Sequence, residues 1–194
     1  MHYATIKELE DVAHYYIDLS CREVCKLTDL HDFDLAFIKL DWSKRRSCSR
    51  GGWYPRQGGA GVSIGMNLIA KNQKDSVIRV YEYKSFDASD TIGGFFTHKV
   101  EHKLALHCLH EVAHAAQYWG FYLKNIPPGS AHGDRWKSIY RHLRVNILNS
   151  FLPEQEPLQK EYNNIIEEIE SPLQRKLILA SRKTKNSRAA SSGL

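Results

Sequence analysis

The sequence predicts an α+β domain with an N-terminal helix, a small three-stranded antiparallel sheet and two later helices that carry histidines. Three observations support this fold class: an amphipathic periodicity near the N-terminus, three short strand-like runs, and two further helical patterns after residue 92. The 194 residues are enough for one ordinary domain and a tail. We therefore expect a core domain over residues 1–150.

The first predicted helix covers residues 5–28. Its apolar side chains recur every three or four positions, a spacing that places them on one face of a helix. The remaining positions are mostly polar, so the helix is expected to bury one face and expose the other. The apolar stripe consists of Ile6, Leu9, Ala13, Tyr16, Ile17, Val24 and Leu27.

Three runs after the first helix have the composition of β-strands: residues 34–40, 61–69 and 77–83. In the second run the apolar residues alternate with the others, as expected of a strand with one buried face. The connections between the runs favour an antiparallel meander. These runs are therefore predicted to form the three-stranded sheet.

The segment between the first two predicted strands, residues 42–61, is rich in glycine and arginine and is predicted to form a long loop or an irregular hairpin. Basic side chains alternate there with aromatic rings, a composition typical of surfaces that bind single-stranded nucleic acid. We expect this segment to contact single-stranded DNA. The alternative is a solvated loop whose tryptophans turn into the core. The residues proposed to contact DNA are Arg45, Arg46, Arg50 and Trp53.

Helical patterns return over residues 92–120 and 134–150, each with an apolar stripe. After Pro153 an acidic stretch predicts a helical extension over residues 151–180. Residues 181–194 contain bases but no acids and few apolar groups, so we predict a disordered basic tail. This tail is a second candidate for contact with DNA.

The composition is that of a soluble globular protein. Hydrophobic residues make up 42% of the chain and charged residues 25%, and the formal net charge of +5 favours polyanionic partners. The sequence has no apolar run long enough to span a bilayer, and its start lacks the pattern of a secretory leader. Its four cysteines show no paired CxxC spacing. We expect a cytoplasmic protein with free thiols and no membrane partner, located in the host cytoplasm if its origin is viral.

The segment before residue 120 contains an HExxH pattern, His110-Glu111-Val112-Ala113-His114. Two histidines one helical turn apart can bind one metal ion, and the glutamate between them can act as general base. At about 100° per residue, Glu111 and His114 lie within about 100° of His110, on one side of the helix. The apolar residues occupy the opposite side. The pattern predicts a Zn2+ site with His110 and His114 as ligands and Glu111 as catalytic base.

A catalytic zinc ion requires a third protein ligand, because such sites use three protein donors and leave a fourth position open. Metzincins would have Gly and His where this chain has Gln117 and Gly120, so that class is excluded. Glu154 and Glu156 are alternative donors. His132 is better placed, because it stands at the start of the next predicted helix.

An HExxH helix followed by a short loop and then HGDRW, residues 132–136, resembles the SprT-like zinc metallopeptidase family, which includes the Spartan-type proteases. The resemblance covers about residues 5–145. It implies a zincin-like metallopeptidase fold and protein substrates, among them proteins associated with or crosslinked to DNA. By this resemblance the metal ligands are His110, His114 and His132, and the base is Glu111.

The chain departs from the family at its C-terminal end. Many members have a C-terminal zinc ribbon with paired cysteines, whereas this chain has no cysteine after Cys108. We expect a zinc metalloendopeptidase that hydrolyses peptide bonds of protein substrates. A catalytically silent, zinc-stabilised DNA-binding or regulatory protein is the alternative, although the acid beside the ligands disfavours it. A metal-dependent hydrolase of a non-peptide substrate is also compatible with the motif.

Overall fold

The computed structural model describes residues 4–43, 48–82 and 91–169. By its internal contacts the chain divides into two compact units, residues 1–155 and 156–194. The described part of the second unit is helical, and the predicted basic tail lies outside the described residues. None of the described helices combines the length and the apolar character that a membrane crossing requires.

Five α-helices and five β-strands are present in the described residues, so the predicted α+β class is confirmed. The helices are α1 (Ile6–Val24), α2 (Met66–Lys71), α3 (Val100–Lys124), α4 (Asp134–Leu143) and α5 (Gln155–Ile169). The strands are β1 (Phe37–Asp41), β2 (Arg50–Tyr54), β3 (Gly59–Gly65), β4 (Ile78–Val80) and β5 (Phe95–Thr97).

Helix α1 begins at a capping box, which explains where the helix starts. The Thr5 hydroxyl accepts a hydrogen bond from the backbone N–H of Glu8, and the Glu8 carboxylate accepts one from the N–H of Thr5. The predicted first helix is confirmed, although α1 ends at Val24 rather than at residue 28. Its buried stripe packs against α3.

The three-stranded sheet has the order β1-β3-β2, in which β1 runs parallel to β3 and β2 runs antiparallel to it. The predicted antiparallel meander is therefore wrong. β2 forms inside residues 42–61 and makes a hairpin with β3, one of the two forms expected for that segment. With β2 on one edge of β3, β1 joins the opposite edge. Strand propensity does not reveal β2, because Gly51 and Gly52 are weak strand formers.

The third predicted strand, residues 77–83, contributes β4 to a separate sheet, in which β4 pairs antiparallel with β5. Residue 83 lies outside the described residues. β5 occupies part of the segment predicted to be helical from residue 92, so α3 begins only at Val100. Aromatic and β-branched residues favour a strand there. The strand predicted over 61–69 ends at Gly65, and α2 begins at Met66.

Helix α3 is the central element of the first unit and packs against α1, α4, β2 and β3. Helix α4 begins where predicted, but its regular part ends at Leu143 rather than at residue 150. A π-helical turn, Arg144–Leu148, and a 3-10 turn, Asn149–Phe151, follow it. A π-helical turn adds a residue to the turn and changes the direction of its side chains. Arg144, the first residue of this π-helical turn, is buried, with only 2% of its surface exposed.

Candidate metal centre

The two faces of α3 have different surroundings. One face carries His110, Glu111 and His114, which line a cleft of about 510 Å³. The opposite face is buried in the hydrophobic core, as the periodicity of the sequence predicts. The core residues of this face include Leu106, Leu109, Val112, Ala113 and Ala116.

His132 reaches the same cleft from the loop between α3 and α4. Asn125 ends α3 with a φ of 52°, a left-handed conformation that turns the chain out of the helix. The side-chain amide of Gln117 on α3 donates hydrogen bonds to the carbonyl oxygens of Ser130, at 3.0 Å, and of Pro128. These bonds hold the returning loop against α3 just before His132.

The three imidazole rings converge through their Nε2 atoms. Nε2 of His114 lies 3.2 Å from Nε2 of His110 and 3.0 Å from Nε2 of His132. The Nε2 atoms of His110 and His132 are 3.2 Å apart. His114 is buried, His110 is half-buried and His132 is exposed. The three residues form a cluster that could hold a metal ion.

The donor set and its spacing fit a single metal ion. Nitrogens bound to a tetrahedral zinc at about 2.0–2.1 Å lie about 3.3 Å apart, close to the separations observed here. Nδ1 of His110 is 2.8 Å from Oε1 of Glu82. In the neutral imidazole that a metal ion requires, an Nδ1 proton donated to Glu82 leaves the lone pair of Nε2 directed at the cluster. Three nitrogen donors leave a fourth tetrahedral position open.

Trp136 lies against all three histidine rings. Its side chain is fully buried, and its ring centroid is 4.6–5.2 Å from the centroids of the three imidazoles. Its Nε1 donates a hydrogen bond to the carbonyl oxygen of His110 at 3.4 Å, which joins α4 to α3 at the cluster. Tyr140 stacks on Trp136 with centroids 4.6 Å apart. The packing of α4 therefore orients the rings.

The pKa values of the three histidines differ according to their neighbours. Burial, together with the nearby imidazoles of His110 and His132, lowers the pKa of His114 to about 3. Burial also lowers the pKa of His132. Burial acts in the same direction on His110, but the hydrogen bond and the charge of Glu82 outweigh it, so the pKa of His110 is raised. Metal binding requires neutral imidazoles, and the net pKa shift favours that form at His114 and His132.

Glu111 lies in the wall of the cleft with 7% of its surface exposed. Burial raises its pKa to about 7, against the opposing effects of His110 and of a hydrogen bond from the backbone N–H of Gly51. β2 approaches α3 very closely at this point, because a Cβ on Gly51 would lie 1.7 Å from the carbonyl oxygen of Glu111. Only glycine fits there.

The cleft is lined by polar and by aromatic side chains. The histidines and Glu111 are polar lining groups, and β2 lines the cleft with all five of its residues. Tyr118 and Tyr122, from the last turns of α3, are aromatic lining groups. The rings of Trp53 and Tyr122 stack with centroids 4.8 Å apart and an interplanar angle of 24°.

The four residues expected from the HExxH and HGxxW patterns line one cleft. Within the described part of the chain, the cluster of possible metal ligands contains the three histidines. The alternative donors, Glu154 and Glu156, are not members of it. The tertiary structure therefore brings together the sequence-predicted ligand set that includes His132.

The residues expected to contact DNA are described only in part. Arg45 and Arg46 lie outside the described residues, as does the basic tail. Arg50 and Trp53 line the cleft. Nε1 of Trp42 donates to a carboxylate oxygen of α1 at 2.8 Å, and the ring packs against the core. Trp42 therefore follows the alternative in which a tryptophan of this segment turns inward.

Motif spacing does not identify Glu82, which is 8% exposed and bonded to His110. The sequence nevertheless marks Glu82 by its place in the alternation of a predicted strand. In the predicted strand over 77–83, Glu82 lies two positions after Val80 and four after Ile78, both of which are buried. An acid on the buried face of a strand needs a hydrogen-bonding partner, and this requirement singles out Glu82.

Comparisons with known proteins do not identify a family. The chain matches no protein-family model, no curated protein and no solved structure. Its function is therefore inferred from the residues of the cleft and from the motifs that they form.

Proposed function

We propose that this protein is a zinc-dependent metallopeptidase of the SprT-like kind that hydrolyses peptide bonds of protein substrates. One observation carries the proposal: three histidine Nε2 atoms lie within 3.2 Å of one another, and Glu111 lines the same cleft. Three nitrogen donors beside an acid are typical of a catalytic zinc site, since structural zinc sites use four protein ligands.

The order of elements supports the SprT-like assignment and a zincin-like fold. An N-terminal helix and a small sheet precede α3, which carries HExxH, and α4 follows with HGxxW at its start. α3 packs against α1, the sheet and α4 together. The mixed strand order and the separate β4–β5 sheet are features that the sequence resemblance alone does not imply.

The residues of the cleft have separate roles in peptide hydrolysis. When bound, zinc supplies Lewis acidity, which polarises a carbonyl oxygen and lowers the pKa of water from about 15.7 toward about 7. Glu111 takes a proton from the attacking water and delivers it to the nitrogen of the leaving amine. One peptide bond and one water molecule thereby become a carboxyl group and an amine.

β2 offers a binding edge for an extended substrate. Within the described residues, β2 has β3 on one side and no strand on the other. An extended peptide can add to such an edge through main-chain hydrogen bonds, largely independently of its sequence. Because β2 and the histidines line the same cleft, a peptide bound along β2 passes the metal cluster. We therefore propose unfolded or extended protein segments as substrates.

The proposal is tested by measuring zinc content and cleavage of an unfolded protein, with and without single-stranded DNA, for the wild type and three variants. We expect about one zinc per chain and cleavage in the wild type. Glu111→Gln should keep zinc and lose cleavage, because the amide cannot take the proton. His114→Ala should lose both. Glu101→Gln is the matched control, since it lies on α3 outside the cleft and should keep both.

Three results would contradict the proposed function. Zinc binding without cleavage under any condition would favour the catalytically silent, zinc-stabilised alternative. Cleavage by Glu111→Gln at the wild-type rate would exclude Glu111 as the base. A wild-type chain without zinc would exclude the metal site itself.

A further inference from the structure

Glu82 is a buried acid directly behind one of the proposed metal ligands. Only 5% of its side chain is exposed, and its Oε1 lies 2.8 Å from Nδ1 of His110, on the side of the ring opposite the cluster. An isolated carboxylate is costly to bury, so its position requires compensating partners. His110 is one of these partners.

We propose that Glu82 is a positioning residue for His110. Its carboxylate accepts a hydrogen bond from the Nδ1–H of the neutral ring, which keeps Nε2 unprotonated and directed at the other two histidines. This inference rests on the metal site of the proposed function and extends it. Outer carboxylates of this kind set the tautomer and the ring orientation of a ligating histidine and increase its basicity as a ligand.

A chain of buried polar groups supports Glu82 from behind. The hydroxyl of Tyr140 hydrogen-bonds to Glu82. Nη1 of Arg144 donates to the oxygen of that hydroxyl at 3.4 Å and to the carbonyl oxygen of Gly93 at 3.2 Å. Arg144 opens the π-helical turn after α4, so the irregular turn directs a cation into the interior near the acid. The chain of hydrogen bonds behind Glu82 therefore ends on a buried guanidinium.

The surroundings of His114 indicate that this arrangement is specific to one ligand. Nδ1 of His114 is buried, and the side chain that hydrogen-bonds to this histidine is the neutral amide of Gln117. The ring of His114 is also stacked on Trp136, with centroids 5.2 Å apart. His114 is oriented by packing and by an amide, whereas His110 is oriented by a hydrogen bond to a carboxylate. Loss of Glu82 should therefore release the ring of His110 and leave His114 in place.

The test measures zinc affinity, by competition with a chromophoric chelator, for the wild type, Glu82→Ala, Glu82→Gln and Glu23→Gln. We expect Glu82→Ala to weaken zinc binding by about 10- to 100-fold. Glu82→Gln should weaken it by a smaller factor, because the amide oxygen still accepts from Nδ1 but carries no charge. Glu23→Gln is the matched control: Glu23 is also 8% exposed and lies 3.5 Å from a histidine nitrogen, that of His142. Its affinity should equal that of the wild type.

A second measurement reports on the tautomer without any metal. In the metal-free wild type, at a pH at which the ring of His110 is neutral, ¹⁵N NMR should show the His110 proton on Nδ1, and Glu82→Ala should shift it toward the Nε2-protonated form. Wild-type zinc affinity in folded Glu82→Ala would overturn the inference, as would an Nε2-protonated His110 in the wild type. If Glu82→Ala does not fold, wild-type zinc affinity in folded Glu82→Gln would overturn it instead.

The two proposals fail in different ways. Wild-type zinc affinity in Glu82→Ala, together with loss of cleavage in Glu111→Gln, would remove the role of Glu82 and leave the peptidase intact. Weaker zinc binding in Glu82→Ala, in a chain that cleaves nothing, would support Glu82 and remove the peptidase.

Discussion

The three-stranded sheet and the two-stranded sheet both reach α3, but they contribute different chemistry to it. The larger sheet brings the glycine backbone of β2 against Glu111 and lines the cleft in which a substrate would lie. The smaller sheet leads into Glu82, which hydrogen-bonds to His110. The wall of the cleft and the orientation of the His110 ring therefore depend on separate parts of the fold. Substitutions in β2 and substitutions around Glu82 should have different effects.

The largest effect is expected from Gly51→Ala. The added Cβ would overlap the carbonyl oxygen of Glu111, so β2 must move away from α3. We expect a loss of about 3 kcal/mol of unfolding free energy by chemical denaturation. Cleavage should be lost, whereas zinc affinity should stay near the wild-type value. Equal losses of both would show that the two sides of α3 are not separable.

Gly52→Ala is the matched control for this prediction. A Cβ at this position meets only a ring carbon of Tyr118, at an ordinary distance of 3.8 Å. The change in stability should stay below about 1 kcal/mol. A Gly52→Ala variant as unstable as Gly51→Ala would mean that the strand rejects any side chain, and that the contact with Glu111 is not the cause.

The second prediction concerns His107, on the side of α3 nearer to Glu82, whose protonation should make the unfolding free energy depend on pH. Burial lowers the pKa of His107 to about 4, with a further lowering by Lys103 and His110 and an opposing effect of Glu82. The unfolded chain therefore takes up a proton near pH 6.5, whereas the folded chain does so only near pH 4. The stability that His107 contributes is full above pH 6.5 and is lost as the pH falls through this window.

His107→Gln should remove this dependence. The difference in unfolding free energy between the wild type and the variant should change by about 2 kcal/mol between pH 7 and pH 4, with the wild type losing more. Denaturation curves at several pH values measure it. His14→Gln, at an exposed position of α1, should follow the wild type throughout. If the unfolding free energy of His107→Gln changed with pH in parallel with that of the wild type, His107 would not be the source of the pH dependence.

The smallest effect is expected from Tyr140→Phe. The change removes the hydroxyl that joins Glu82 to Arg144 and keeps the ring stacked on Trp136. We expect a loss of about 1 kcal/mol of unfolding free energy. We also expect a modest fall in zinc affinity without damage to the cleft, which is the opposite pattern to that of Gly51→Ala. Tyr15→Phe, at a tyrosine with 56% exposure, should change neither quantity.

Local periodicity made part of the fold predictable from sequence. The apolar stripe of α1 and the separation of HExxH from the buried face of α3 depend on residues three and four positions apart, which one helix brings together. Glycine-rich β2 was not predicted as a strand, because its pairing depends on the close approach of α3 and on the free edge of β3 rather than on its own propensity. Because β2 has no strand signal of its own, residues 77–83 were predicted as the third strand instead, and the predicted strand order was wrong.

The sequence by itself determined the candidate chemistry: a pair of histidines one turn apart, a glutamate between them, and a third histidine at the start of the next helix. Only the tertiary structure decided which groups surround them. Glu82 is 28 positions from His110 in the chain, and Gly51 is farther still from Glu111. Such contacts depend on which strand edges pair and how closely the sheets approach α3. Helical periodicity is a property of neighbouring residues, whereas these contacts are set by the packing of the whole unit.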